Sequence, residues 1–420
     1  MLNKLIIKKN TIGTFIFIII YKIILDLAYY LIISPIWSYS KFVFKFNDIK
    51  LIESYFLLFI IFILMPKSPK KISNIILWIF FLMSYIPMLT LFALMDESRI
   101  FMYATTFFWI IVFLMVRTKT PKLNIKKLKQ SKIIRWIIFI TVPIISFMFI
   151  YKYLGLHINF SLKNVYEIRS HYTGLHIPFA GYILNWFAKI IGPALFVIFF
   201  VKKKWIPLVF VLALQILLFS VTGHKSYLFV IPFVVAMLWI VNKKNSLNWM
   251  IIGLIIIILI SSLSYYLIDN SWLSSLATRR TLLVPAQLSF FYYNFFSNHQ
   301  FTFLSQHHIF RNLIDYPYHL DPPHLIGKTY FNRSQMGANN GIVSDGYMNF
   351  GFIGMIMWAI VLSFILKLID NIGGRKDIKT TIAIIIIPTL SIISSPLPTV
   401  LITHGLLFSL LLLYLLPKKT

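Results

Sequence analysis

The stretch QHHIFRNLIDYPYHLDPPHL at 306–325 concentrates groups that could bind metal or transfer protons in an otherwise apolar chain. His319, Asp321 and His324 form an H-x-D-x-x-H pattern, whose nitrogen and oxygen donors suit a divalent transition metal. Nearby prolines make this backbone irregular and no further ligand cluster accompanies the pattern, so we expect no metal site. His307, or the histidine that follows it, is instead a candidate general base, because an imidazole pKa is ordinarily near 6.5.

Two other short segments combine charge with hydrogen-bonding side chains. Glu167 and Arg169 lie in VYEIRSHYT at 165–173, where donors and acceptors suit sugar hydroxyls or a phosphate; a solvated loop with a local ion pair is the alternative. Lys225, in TGHKSYLFV at 222–230, is a candidate phosphate contact. A lysine at such a place can equally extend to the membrane interface for solvation alone.

Adjacent arginines precede an aromatic segment within 274–298. Arg279 and Arg280 can each form bidentate bonds to phosphate oxygens and stay charged at any relevant pH, which favours binding of a lipid-linked diphosphate. Docking to ordinary lipid headgroups is the alternative. We expect the segment that follows to lie flat in the membrane interface. Its expected anchors are the aromatic residues Phe290, Phe291, Tyr292, Tyr293, Phe295 and Phe296.

The segment at 326–358 contains the last group of candidates. Arg333 and Asn339 either face a substrate or only cap and satisfy the backbone. Asp345 lies where the chain is expected to re-enter the membrane and is a candidate acid or base. Gly351 and Gly354 would allow the following helix to approach a neighbour closely.

The composition places these residues in a membrane protein. The chain has 420 residues, of which 59% are hydrophobic and 12% charged, and its mean hydropathy is +0.82. The net charge of +28 is concentrated in short connectors between apolar runs, as the positive-inside rule expects, so it argues against a nucleic-acid partner. There is no cysteine, which excludes disulfides and zinc–thiolate sites.

Apolar runs long enough to cross a bilayer recur along the whole sequence. They predict an all-α polytopic integral membrane protein with about twelve transmembrane helices and no appended soluble domain, so that 1–420 is one membrane domain. The expected spans are 12–33, 51–65, 72–95, 99–116, 133–154, 178–200, 205–222, 226–242, 248–268, 346–369, 379–395 and 398–416.

The charges of the connectors predict the orientation of the spans. Basic connectors such as PKSPKK at 66–71 and RTKTPKLNIKKLKQSK at 117–132 all fall on one side, which is therefore cytoplasmic together with both termini. Most acidic residues fall on the other side. That side also has a first extracytoplasmic loop at 155–177 and a large one at 269–345, which contains the expected interfacial helices.

Several of these motifs resemble the Wzy-type oligosaccharide repeat-unit polymerases of O-antigen and capsule synthesis. The resemblance rests on VPAQLSFFYYNFFSN at 284–298, IGKTY at 326–330, GANNG at 337–341 and DGYMNFGFIG at 345–354. VYEIRSHYT and TGHKSYL are similar to two further patches of that family. The resemblance extends in pieces over about 150–370.

The resemblance implies a GT-C-like membrane glycosyltransferase in the bacterial inner membrane that needs no cofactor or metal. It would transfer a growing glycan from undecaprenyl diphosphate to a new lipid-linked repeat unit at the extracytoplasmic face, with a chain-length regulator as partner. Arg169, Arg279 and Arg280 correspond to arginines of the family's loops. Lys225 stands where the family more often has arginine.

Two other functions are compatible with such a sequence. The first is an O-antigen ligase, which transfers the finished glycan to lipid A. The second is a lipid-linked oligosaccharide flippase. A flippase should have short outer loops and charges inside a central cavity. The few charges within predicted spans here, chiefly Lys22 and Asp26, are spaced to pair with each other.

Overall fold

The structure of the chain is a computed structural model that describes residues 2–118, 131–154, 179–307, 310, 312–374 and 376–417. All regular elements in these ranges are helical, which confirms the predicted all-α class for the described part. The longer helices in chain order are α1 (Leu2–Ala28), α2 (Asp48–Leu64), α3 (Ile72–Phe80), α4 (Ile86–Leu94), α5 (Arg99–Arg117), α6 (Ser131–Phe149), α7 (Ala180–Trp186), α8 (Gly192–Val201), α9 (Trp205–Thr222), α10 (Lys225–Val241), α11 (Ser246–Ile268), α12 (Val284–Phe296), α13 (Pro322–Phe331), α14 (Ile342–Gly373), α15 (Ile378–Leu390), α16 (Leu397–Ile402) and α17 (Leu406–Leu415).

Helical runs in the described ranges are suited to cross a membrane several times. Nine of them are long and apolar enough to do so. The predicted spans 51–65, 226–242 and 379–395 correspond to helical segments that are shorter or less apolar, Asp48–Leu64, Lys225–Val241 and Ile378–Ile393. The chain is therefore a multi-pass membrane protein, while the count of twelve spans stays a prediction. The nine runs are Thr11–Ser40, Ile72–Leu94, Arg99–Arg117, Lys132–Lys152, Ala180–Val201, Trp205–Thr222, Ser246–Ile268, Ile342–Gly373 and Leu397–Leu415.

The exposed side chains of α11 are those of a lipid-facing helix. Ile256, Ile257, Leu259, Ile260 and Leu263 are 43–55% exposed. A continuous apolar face of this kind is unfavourable in water but suits a hydrocarbon environment.

The chain divides into two compact units. Unit 1 consists of Met1–Thr120, Lys243–Lys367 and Ile392–Leu397, and unit 2 consists of Pro121–Asn242, Leu368–Ser391 and Pro398–Thr420. The centre of unit 1 is the run Ile72–Leu94, because 89% of its most apolar stretch is buried against 17% for α11. In unit 2, the side-chain amide of Gln215 in α9 donates hydrogen bonds to the carbonyl oxygens of Ala188 and Tyr227, both at 2.8 Å. These bonds connect α9 with the π-helical turn Phe187–Ile191 and with α10.

Five-residue π-helical turns interrupt several spans, and a ten-residue π-helix lies in the large loop. The turns are Tyr29–Ile33, Phe81–Tyr85, Ile150–Leu154 and Phe187–Ile191, and the long segment is Ser274–Leu283. Such turns are frequent at functional sites because they redirect side chains relative to a regular α-helix.

Candidate functional site

The two adjacent arginines lie on a continuous helical segment of unit 1, here called the helical rod, which consists of Ser274–Leu283 and α12. The π-helix Ser274–Leu283 continues directly into α12. It packs back along α11, since Ser274 Oγ donates to the Ser261 carbonyl oxygen at 2.7 Å and the hydroxyls of Ser261 and Thr278 are 3.1 Å apart. The first part of the large predicted loop is thus a packed part of unit 1.

Arg279 and Arg280 have different surroundings on this rod. Arg279 is half-buried, with its guanidinium carbon 5.0 Å from the centroid of the Trp37 ring and Nη2 3.4 Å from Ser275 Oγ. Stacking on an aromatic ring fixes the plane of a guanidinium group. Arg280 is exposed. The pair therefore presents one held and one solvent-accessible cation.

The prediction that the aromatic residues of α12 anchor it in the membrane interface is wrong for five of the six. Phe290 and Tyr292 are fully buried, and Phe291, Phe295 and Phe296 are at most 6% exposed. Their neighbours are protein rings: Phe101 is 5.5 Å from Phe290 and Tyr330 is stacked on Phe291 at 4.4 Å. A helix lying flat in an interface would leave one face in lipid. Here consecutive aromatic residues are enclosed by unit 1.

Asp345 lies in a helical hairpin. The helix α14 is interrupted at Phe350 and Gly351, where Gly351 has a φ of 63°. The arms at 342–349 and 352–373 meet so closely that a Cβ on Gly354 would lie 2.0 Å from the Gly346 carbonyl oxygen. The predicted close approach at Gly354 is confirmed, whereas Gly351 makes the turn itself.

The Asp345 carboxylate holds this hairpin together. It is fully buried; Oδ2 accepts from Trp358 Nε1 at 2.6 Å and from the Leu397 amide at 2.9 Å. Oδ1 accepts from Asn349 Nδ2 at 3.1 Å. Both oxygens therefore have donors from the protein, which is typical of a structural carboxylate.

Asn349 extends this network to the segment before His307. Its Oδ1 accepts from Thr302 Oγ1 and from the Leu304 amide, both at 2.8 Å. His307 follows as a half-buried residue whose amide donates to the Leu304 carbonyl oxygen at 3.0 Å. The backbone three residues before His307 is thus hydrogen-bonded to Asn349, next to the turn of the hairpin.

The H-x-D-x-x-H pattern is only partly assembled. His324 Nδ1 contacts Asp321 Oδ1. Among the residues that the structure describes, no group of three or more histidine or acidic side chains could hold a metal ion.

Arg333 and Asn339 are both exposed. Arg333 lines a surface cavity of about 400 Å³ together with its neighbours in 332–336. This turn packs closely on α13, because a Cβ on Gly327 would lie 2.2 Å from the Met336 carbonyl oxygen. Asn339 follows Ala338, whose carbonyl oxygen accepts from the buried Tyr292 hydroxyl at 2.9 Å. Both candidates thus project from backbone fixed to unit 1.

The other candidates cannot be added to this group. Lys225 is the half-buried first residue of α10 and belongs to unit 2. Glu167, Arg169 and the whole of the predicted first loop at 155–177 lie outside the described residues.

Glu97 is a candidate that sequence reasoning missed. It lies between α4 and α5 and is 9% exposed. Burial raises its pKa from 4.5 to about 7, and the nearby Asp96 adds to this effect, while Asn294 and Lys50 oppose it. A carboxyl group with such a pKa can exchange a proton near neutral pH.

Glu97 and Arg279 lie at the same end of unit 1. Arg279 contacts Trp37, near the end of the first membrane run. The loop that follows is attached to the end of α4, since the Lys45 amide donates to the Leu94 carbonyl oxygen at 2.8 Å. Glu97 lies three residues after Leu94 in the sequence.

The motif MDESR at 95–99 gave no sign of which acid is buried. Asp96 has a positive φ of 56° and a side chain that is 46% exposed, with Lys50 Nζ at 2.6 Å. Glu97 turns inwards, and its contact with Asn294 of α12 joins positions almost two hundred residues apart. Only the tertiary structure identifies such a contact.

Within the membrane runs, some ionisable side chains contact one another. Lys22 Nζ is 2.6 Å from Asp26 Oδ2, which confirms the predicted pair. In unit 2, the buried Lys189 is 3.1 Å from His404 Nδ1, a contact that sequence reasoning missed. Lys189 lies in the π-helical turn Phe187–Ile191, which offers a local reason for its inward direction.

Comparisons with known proteins add no identification. No family model, curated protein or solved structure matches this chain.

Proposed function

We propose that the chain is a Wzy-type polymerase, which joins undecaprenyl-diphosphate-linked repeat units into O-antigen or capsular polysaccharide. The observation that best supports this is the Arg279–Arg280 pair on the helical rod, at the end of unit 1 where the proton-accepting Glu97 also lies. A site at the extracytoplasmic face of a bacterial inner membrane, the GT-C-like architecture and the twelve spans belong to the same proposal.

The proposed reaction needs cations and a base. A hydroxyl oxygen of the acceptor unit forms the new glycosidic bond as the bond between the donor's anomeric carbon and its phosphate oxygen breaks. The hydroxyl proton passes to a base, and the departing diphosphate keeps the bonding electrons. Guanidinium groups neutralise that developing charge without changing their own protonation.

The surroundings of each candidate favour particular roles. Arg279, held on Trp37, orients the diphosphate, and the exposed Arg280 supplements its charge. Arg333 and Asn339 contact the glycan. Glu97 or His307 accepts the proton, because Asp345 is fully buried with both oxygens occupied and therefore has a structural role. Glu167, Arg169 and Lys225 remain candidates from the resemblance alone.

A purified-enzyme assay with a synthetic lipid-diphosphate repeat unit tests this function. We expect Arg279→Ala and Arg280→Ala to abolish long-chain product at normal protein levels. Arg117→Ala is the matched control, because Arg117 is an exposed arginine at the opposite end of α5 from Glu97. Wild-type chain lengths from both variants would refute the assignment.

Gene deletion distinguishes the alternatives. Loss of a polymerase leaves lipopolysaccharide capped by one repeat unit, whereas loss of a ligase leaves bare core. Loss of a flippase prevents repeat units from reaching the outer face.

The absence of cysteine makes sidedness directly measurable. A Ser297→Cys variant has one thiol at an exposed position after α12. We expect a membrane-impermeant maleimide to label it in intact spheroplasts. Labelling only after lysis would place this segment in the cytosol and remove the basis of the proposal.

A further inference from the structure

A second polar cavity lies at the other end of unit 1. It has a volume of about 450 Å³ and is bordered by the start of the first membrane run, the turn after α2 and the start of α11. Its lining includes Lys67, Lys70 and Lys244, and none of the described lining residues is acidic. A cavity of this charge and size suits a small anionic group.

The first turn of α11 adds backbone donors to this cavity. Asn245 is the N-cap, but its side chain makes no cap hydrogen bond. The first helical bond runs from the Trp249 amide to the Asn245 carbonyl oxygen at 3.2 Å. The amides before Trp249 therefore have no partner within the helix, and they form the positive end of its dipole.

Ser246 provides an independent indication of a ligand. It lines the cavity and is 2% exposed. Among the described residues, its hydroxyl oxygen has no hydrogen-bond partner. A buried hydroxyl without a partner costs about 1–3 kcal/mol, so an acceptor oxygen at this position would relieve a real penalty.

We infer that this cavity binds a phosphate group, held by the lysines, the Ser246 hydroxyl and the first amides of α11. Phosphate oxygens accept several hydrogen bonds at once and carry the charge that this lining favours. The same chemistry is present in the headgroup of an anionic phospholipid and in free phosphate.

This site is independent of the proposed function. Thr11 borders the cavity, and Trp37 contacts Arg279 at the far end of the same membrane run. At 1.5 Å per helical residue, these ends are roughly 40 Å apart.

The pKa of Lys67 is lowered to about 8 by partial burial and by Arg117, so this lysine is still mainly cationic at neutral pH.

Binding can be measured on the purified full chain in neutral detergent. The probes are short-chain phosphatidylglycerol, inorganic phosphate and short-chain phosphatidylcholine, whose choline offsets the phosphate charge. We expect phosphatidylglycerol to bind more tightly than phosphatidylcholine. Competition by inorganic phosphate would identify a general phosphate site, and phosphatidylglycerol binding without such competition would identify the lipid headgroup as the ligand.

Three variants separate the cavity from general surface charge. Lys70→Gln/Lys244→Gln should weaken phosphatidylglycerol binding about 25-fold, at roughly fivefold per lysine. Ser246→Ala should weaken it about fivefold without loss of thermal stability, because no described hydrogen bond is broken. The control Lys202→Gln/Lys204→Gln removes the same charge from exposed positions in unit 2. Equal affinities for the cavity variants and the control would overturn the inference.

Discussion

The indole Nε1 of Trp358 donates a hydrogen bond to Asp345 Oδ2 at 2.6 Å, which joins the two arms of the α14 hairpin. The same oxygen accepts from the Leu397 amide. Asp345 thus connects the two arms of the hairpin with each other and with Leu397. The loop leading to His307 is attached to the same network through Asn349.

Loss of the indole donor should destabilise unit 1. Trp358→Phe leaves the buried carboxylate short of one hydrogen bond, at a cost of about 1–3 kcal/mol. The midpoint of thermal unfolding, followed by size-exclusion chromatography in detergent, should fall. Trp205→Phe is the matched control, because Trp205 is 59% exposed. Equal shifts in both variants would contradict this role.

The contact between the hairpin arms should not tolerate a methyl group. Gly354→Ala would bring Cβ within 2.0 Å of the Gly346 carbonyl oxygen, so we expect destabilisation of about 1–3 kcal/mol or more. Gly253→Ala tests the same change in α11, where nothing lies within 4 Å of the new Cβ. That control should be neutral. The measurement is the folded fraction of each variant after extraction from the membrane.

Chelation should leave the proposed transfer unaffected. The described residues contain no group of three metal ligands, and the arginines supply charge without an ion. We expect EDTA-treated enzyme to produce chains of normal length from the lipid-linked repeat unit. Loss of turnover with EDTA and recovery with a divalent ion would instead direct attention to His319, Asp321 and His324.

The helices could be predicted from the sequence because hydropathy is a local property. The predicted span 205–222 coincides with α9, and the predicted 72–95 with the run Ile72–Leu94. The break at Phe350 and Gly351 was missed, because apolar residues continue on both sides of it and hydropathy alone indicates one helix. What folds the arms together is the contact of Gly346 with Gly354 and of Asp345 with Trp358.

The candidate site was predictable only in part. The adjacent Arg279 and Arg280 are visible as an unusual pair, although their position on a π-helix is not. The aromatic residues of α12 have the composition of an interfacial helix, but composition does not distinguish a lipid boundary from an aromatic protein core. Glu97 was missed because it interacts with Asn294 and Tyr330, which the fold brings close from the large predicted loop.

The raised pKa of Glu97 predicts that its contribution to stability falls as the pH rises. The folded state keeps the Glu97 proton up to about pH 7, whereas the unfolded chain releases it near 4.5. Between these values the folded state binds more protons, so wild-type protein should lose on the order of 3 kcal/mol relative to Glu97→Gln across that window. Thermal midpoints of both proteins at pH 5 and pH 8 provide the measurement. Asp96→Asn is the control, because hydrogen bonding to Lys50 lowers the pKa of Asp96 from 3.8, so its contribution is lost only below this window and should not change between pH 5 and pH 8. A constant difference between wild type and Glu97→Gln from pH 5 to pH 8 would show that Glu97 ionises in its ordinary range, and would remove it from the candidate bases.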